Sequence, residues 1–144
     1  MKHKHWKTAA WILFAVYWVA LLWVMFISRI GEAADTWRMN LIPFETLRYY
    51  MHVLRHSTST SLRLNALVNL LGNTAMFCPV GLLAPVLFPQ LRKFWRCMLL
   101  TLVVVLILEI IQPMTGLGVG DVDDVLLNMI GAAAGYLIWT WLPK

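Results

Sequence analysis

Apolar residues fill four stretches of the chain, separated by segments that are basic, polar or rich in glycine and proline. The first, 8–28, carries Trp11, Trp18 and Trp23. The second, 66–88, is interrupted by Asn69, Asn73, Pro79 and Pro85. The third, 95–112, closes on Glu109 and Gln112, and the fourth, 122–142, ends on Trp139 and Trp141. Each approaches the ~20 apolar residues that a helix needs to cross a bilayer, and tryptophans near the ends suit the aromatic belts of a membrane protein. Between the first two stretches, Phe44, Leu47, Met51 and Leu54 recur at helical spacing opposite Glu45, Arg48, His52 and Arg55. That spacing predicts an amphipathic helix with Pro43 in its first turn, placed in the headgroup layer. Residues 57–61, all serine and threonine, read as a linker. The pattern as a whole predicts an all-α fold in one domain, 1–144: an integral-membrane four-helix bundle with an extracellular interfacial helix.

Composition agrees. Hydrophobic residues make up 60% of the chain and charged residues 13%, about half the charged share of an ordinary soluble domain. The net charge of +5 sits in short clusters beside apolar runs and not along a helical face, which argues against nucleic acid as a partner. Lys2, Lys4, Lys7, Arg92, Lys93, Arg96 and Lys144 fall on one side of the predicted spans, so both termini are expected in the cytoplasm. A cleaved signal peptide is the alternative for the first stretch, but Glu32 stands where cleavage after Ala34 would want a small residue. The first stretch is therefore read as a retained helix. Cys78 and Cys97 lack zinc-ligand spacing and read as reduced packing thiols. His3, His5, His52 and His56 show no convincing metal spacing.

The polar residues inside the apolar stretches change the picture most. With no Lys or Arg in the third or fourth stretch other than Arg96 at the opposite end of the third, Glu109 is a carboxylate at membrane depth that needs a partner or a task. Asn65, Asn69 and Asn73 lie four residues apart on one helix stripe, the latter two roughly 6 and 12 Å below the first. Glu109 and Gln112 share a face, as do Asp121, Asp124 and Asn128, whereas Asp123 points elsewhere. All of these fall in the outer half of the bilayer, so Asn73, Glu109 and Asn128 are expected to face one another beside Asp124. Asp121 also suits a helix N-cap, and each asparagine suits a hydrogen bond between helices. Glu109, Asp121 and Asp124 are candidate oxygen ligands for a divalent cation and equally candidate acids or bases. Gly131 and Gly135 make a small-residue face for close helix packing, which would also permit a homodimer. Gly116, Gly118 and Gly120 make a tight turn over the site.

Asn40-Leu-Ile-Pro43-Phe44, Asn69…Asn73…Phe77-x-Pro79-x-Gly81, Glu109-x-x-Gln112 and Asp121-x-Asp123-Asp124…Asn128-x-x-Gly131…Gly135-Tyr136 together resemble the VanZ-like membrane proteins, in that family's order. The resemblance implies a small bacterial plasma-membrane protein, from a family named after a member linked to teicoplanin resistance. The candidate binding residues are Asn40, Asn69, Asn73, Glu109, Gln112, Asp121, Asp124 and Asn128. The expected function is binding of a lipid, a lipid-linked precursor or an amphiphilic lipoglycopeptide-type molecule at an outer-leaflet polar cleft. The alternatives are an integral-membrane enzyme that uses Glu109 and Asp121/Asp124 on a lipid-linked envelope substrate, and a small transporter. Many members carry Arg three residues before the first Asp, where this chain has Gly118, and an aromatic where it has Gly120. An Arg at that place would suit an anionic group, and Arg38, Arg48 and Arg63 are the residues that could replace it.

Overall fold

The computed structural model describes the backbone of residues 2–27 and 38–142, with side chains from residue 7 onward. In chain order the elements are α1 (Lys2–Met25), β1 (Met39–Asn40), α2 (Glu45–His56), α3 (Thr60–Met76), α4 (Cys78–Leu87), a 3-10 turn (Pro89–Arg92), α5 (Phe94–Met114), β2 (Gly120–Asp121) and α6 (Val122–Trp141). Four segments are long and apolar enough to cross a membrane: Lys7–Met25, Thr60–Leu87, Phe94–Met114 and Val122–Trp141. They present large apolar side chains outward, among them Val19, Leu71, Ile107 and Ile138, as expected where hydrocarbon is the solvent.

The second span departs from its predicted bounds in two ways. It begins at Thr60 because Ser59, read from sequence as linker, caps the helix and its side chain accepts from the Leu62 amide. It is also two helices, broken at Phe77 with φ −97° and ψ 0°. Pro79 explains the break, since a proline in a helix interior removes one amide donor and its ring collides with the carbonyl four residues back. The Phe77 carbonyl then accepts from the amides of Val80 and Gly81, which starts α4.

The break lets α4 lie close against α6, and glycines set that approach. A Cβ at Gly81 would stand 1.9 Å from the Ala132 carbonyl oxygen, one at Gly131 1.7 Å from that of Thr74, and one at Gly135 1.9 Å from that of Cys78. Gly131 and Gly135 are thus occupied within the chain, against α3 and α4. A homodimer through the same face, expected from sequence as an option, would require displacing those two helices. Phe77, Cys97, Val105 and Ala132 fill the core, with Leu21 and Met25 of α1 against them. The Tyr17 hydroxyl ties α1 to the break by donating to the Met76 carbonyl at 2.7 Å. At the far end of the bundle, the Tyr136 hydroxyl donates to the Arg92 carbonyl at 2.5 Å.

The amphipathic helix is present. It starts at Glu45, after Pro43, with Phe44 as a left-handed N-cap at φ 65°. Val53 is buried and Thr46 and Tyr50 are half-buried; of the predicted apolar stripe, Leu47 and Leu54 are half-buried and Phe44 and Met51 exposed. A two-residue parallel pairing of β1 with β2, Met39 opposite Gly120 and Asn40 opposite Asp121, was not legible in the pattern.

Candidate functional site

The polar residues gather at one end of the bundle, where α3 and α6 begin and α5 ends. Asp121 is the centre of the arrangement. As N-cap of α6 its Oδ1 accepts from the Asp123 amide at 2.8 Å, satisfying a donor that helix geometry leaves without a partner. Its Oδ2 accepts from the Thr46 hydroxyl and, at 3.3 Å, from Asn40 Nδ2. Asn40 Nδ2 also donates to Thr46 Oγ1 at 3.0 Å, and Asn40 Oδ1 accepts from the Ile42 amide at 3.1 Å. One carboxylate therefore fixes the start of α6, strand β1 and the first turn of α2.

Glu109 lies beneath this knot. It is 4% exposed, and its Oε2 accepts from the Asp121 amide at 3.0 Å. That bond ties it to the backbone at the β2–α6 junction. Gly120, next in line, has no room for a side chain, because a Cβ would stand 2.5 Å from the Glu109 carbonyl oxygen. That close approach is the structural reason for glycine where the family resemblance leads one to expect an aromatic. Asn73 Nδ2 donates to Asp124 Oδ1 at 2.5 Å, joining α3 to α6.

Asp123 was set aside by sequence, since it leaves the face shared by Asp121, Asp124 and Asn128. The structure gives it a definite task. It is fully buried, and its two oxygens accept from the amides of Phe44 at 2.6 Å and Leu47 at 3.0 Å. An anion at the positive end of α2 is favourable, and this one turns the helix so that Thr46, Tyr49 and Tyr50 face the bundle end. The left-handed Phe44 aims its own amide at the same carboxylate. The available signal was the Asp-x-Asp-Asp run itself: a third carboxylate beside a helix start needs donors from another element.

Between α2, the start of α6 and the 116–119 turn lies an open cleft of about 440 Å³. Thr46, Tyr49, Tyr50, Asn69, Asp121 and Asp124 line it, with Arg38, Leu117, Gly118 and Val119 at the turn side. Of the three arginines that could stand in for an Arg at position 118, the structure brings Arg38 to the cleft. The Arg38 carbonyl accepts from the Gly120 amide at 3.2 Å, so Arg38 is anchored beside that turn. Arg48 instead donates to the Phe44 carbonyl on the outside of α2, and Arg63 is exposed on α3.

The predicted site residues therefore divide. Asn69, Asp121 and Asp124 line the cleft, while Asn40 and Asn73 hold its walls through their bonds to Asp121 and Asp124. Glu109, Gln112 and Asn128 are buried behind it. Asn69 turns its amide nitrogen back to the Asn65 carbonyl at 2.8 Å. The Gln112 carbonyl accepts from the Leu117 amide and shapes the turn. Asn73 is joined to Asp124, and Glu109 to the Asp121 amide. Glu109, Asp121 and Asp124 are each engaged by hydrogen-bond donors, and among the described residues no three His, Cys, Asp or Glu side chains come together as a metal site. Thr46, Tyr49 and Tyr50 were missed in sequence, because only the clamp at Asp123 tells which side of α2 turns inward.

No curated protein and no solved structure matches the chain. The VanZ/LLP1 family matches it over residues 11–143, which takes in most of the first span, the other three spans, the interfacial helix and every residue of the cleft. The chain is a multi-pass membrane protein that belongs to the VanZ/LLP1 family.

Proposed function

We propose that the protein binds the polar headgroup of a membrane-embedded molecule in this cleft: a lipid, a lipid-linked envelope precursor or an amphiphilic lipoglycopeptide-type compound. The observation that carries the reading is the cleft itself, a polar recess lined by Arg38, Thr46, Asn69, Asp121 and Asp124 at the end of an otherwise apolar bundle. Ligand sites fall in the range of about 300–1,000 Å³ and combine apolar wall with a few placed polar groups. Leu117 and Val119 supply apolar wall here, and Met114, Met39 and Leu41 extend exposed apolar surface nearby, a path for acyl chains that stay in the bilayer. We place the cleft at the outer leaflet of a bacterial plasma membrane, with both termini in the cytoplasm, on the distribution of basic residues. Occupying headgroups there would change how a lipoglycopeptide partitions at the surface, which is the form in which the family's link to glycopeptide resistance would apply.

Gly118→Trp tests this, since Gly118 lines the cleft on its turn side and an indole there takes up its space. The variant should fold and lose co-purifying polar lipid by native mass spectrometry. Membrane lipids and wall precursors from cells with and without the gene should match in covalent structure. A covalent change that depends on Asp124 would instead favour the enzymatic reading. Retention of the same lipid by Gly118→Trp would remove the cleft as the site.

A further inference from the structure

We infer that the outward side of α2 is a second lipid site, separate from the cleft, which takes the phosphate of an anionic phospholipid from the surrounding leaflet. A groove of about 340 Å³ runs along that side. Phe44, Leu47 and Met51 give it apolar wall, and Arg48, His52, Arg55 and His56 supply its polar groups. These positions recur every three or four residues and so form one continuous stripe. Asp123 fixes which way the stripe faces, because its carboxylate holds the amides of Phe44 and Leu47.

The order of residues round α2 matches a helix lying in a membrane interface beside a bundle. At 3.6 residues per turn, buried Val53 and half-buried Tyr50 come first, followed by half-buried Leu54 and Leu47. Exposed Met51 and Phe44 come next, and exposed Arg55, Arg48 and His52 last. The succession is bundle, hydrocarbon, headgroup. Phe44 is 56% exposed and held at φ 65°, a conformation that bulky residues rarely adopt. Leu41 and Ile42, just before it in the chain, are exposed as well. An apolar edge of this kind beside charged groups marks a surface that something covers, and in a chain with four spans acyl chains are at hand.

Charge selects the headgroup. Glu45 is the one acid of α2 and does not line the groove. Arg48 donates from Nε to the Phe44 carbonyl at 2.9 Å and from a terminal nitrogen to the Pro43 carbonyl at 3.5 Å. Those bonds pin the guanidinium over the start of the helix, and with five N–H groups in all it keeps others for a ligand. Arg55 lies two turns on, about 10 Å along the axis, with His52 between them. Guanidinium groups so placed suit the oxygens of a phosphate. A zwitterionic headgroup brings its own cation and leaves the arginine charge uncompensated. An anionic phosphodiester compensates it.

The test places the photo-crosslinker p-benzoylphenylalanine at Met51 in the full chain, in nanodiscs of equal phosphatidylglycerol and phosphatidylcholine, and reads the adducts by mass. Phosphatidylglycerol adducts should exceed phosphatidylcholine adducts at least about threefold, as expected where two arginines meet an anionic surface. The same probe at Ile107, exposed on α5, should show no preference. Arg48→Gln combined with Arg55→Gln should bring the ratio at Met51 close to one. High salt should do the same in the unaltered protein, because exposed charges are screened. Gly118→Trp should leave the ratio unchanged, and its collapse in that variant would make the lipid the cleft's ligand and overturn a separate site. Equal adducts of both lipids at Met51 would overturn the anionic assignment. Adducts to a second copy or another protein in place of lipid would overturn the lipid as occupant.

Discussion

The two halves of α6 meet their neighbours by opposite means. In its first turns, contact is made through polar atoms: Asp124 with Asn73, Asp123 with the α2 backbone, Asp121 with Thr46 and Asn40. Further along, contact is made by having no side chain at all, with Gly131 and Gly135 against the carbonyls of Thr74 and Cys78. Between lipid-solvated helices there is little hydrophobic drive to associate, so close packing and hydrogen bonds must hold them. The glycine half fixes the helices in one register and leaves no space. The polar half holds the surrounding elements at side-chain length, and that extra length is what leaves room for a cleft. The scaffold and the site are thus two solutions of one packing problem on the same helix.

The sharpest way to break this contrast is to add a methyl group to the tight half. Gly131→Ala places a carbon 1.7 Å from a backbone oxygen that cannot swing aside, so α3 and α6 must separate. The cost should lie at or beyond the upper end of the about 1–3 kcal/mol typical of overpacking, seen as a large loss of folded protein and of thermal midpoint. A near-normal midpoint would show that the helices are not held by that contact. In the polar half, Asp123→Ala should cost about 1.5–3 kcal/mol by removing a charged acceptor from two amides. The loss should be local. Hydrogen exchange should rise tenfold or more in residues 44–56 while α6 keeps its protection, and an even rise across all helices would contradict the clamp.

Glu109 should matter less than its depth suggests. Its Oε2 takes a backbone amide, and the oxygen of a glutamine can take that same bond, so Glu109→Gln should keep the start of α6 in place. Glu109→Ala leaves the Asp121 amide without its acceptor, at about 1–3 kcal/mol, and should loosen the start of α6. Loss of lipid retention in a well-folded Glu109→Gln would assign Glu109 a charge-dependent task that its hydrogen bond to Asp121 does not explain.

What could be read from sequence follows from the range of the forces involved. Four spans and an interfacial helix are local matters of apolar run length and period, and the structure shows them all. The N-cap at Asp121 was legible because a cap is made within three residues. That the polar residues would collect at one end followed from their depth along each span. Their pairing did not follow, since it depends on rotation of helices about their axes, which Gly81, Gly131 and Gly135 set through contacts distant in sequence. Asp123 was passed over for the same reason: its partners are backbone amides 76 and 79 residues away, and backbone donors leave no trace in a residue pattern. The parallel pairing of two residues at 39–40 with 120–121 is too short to carry a period.

The smallest expected effect is the control that gives the comparison its meaning. Gly72 lies inside α3, on the same helix as Thr74, yet a Cβ there meets nothing within 4 Å. If glycine were needed in this helix for flexibility, Gly72→Ala would harm it as Gly131→Ala harms the contact. If the glycines of the bundle act only by admitting a neighbour's backbone, Gly72 has no neighbour to admit. The substitution should then stabilise by about 0.4–1 kcal/mol, since alanine loses less backbone freedom on folding. Thermal midpoints measured side by side in one detergent decide it. A fall for Gly72→Ala comparable to that for Gly131→Ala would mean that helix flexibility governs this bundle, and not the carbonyl contacts.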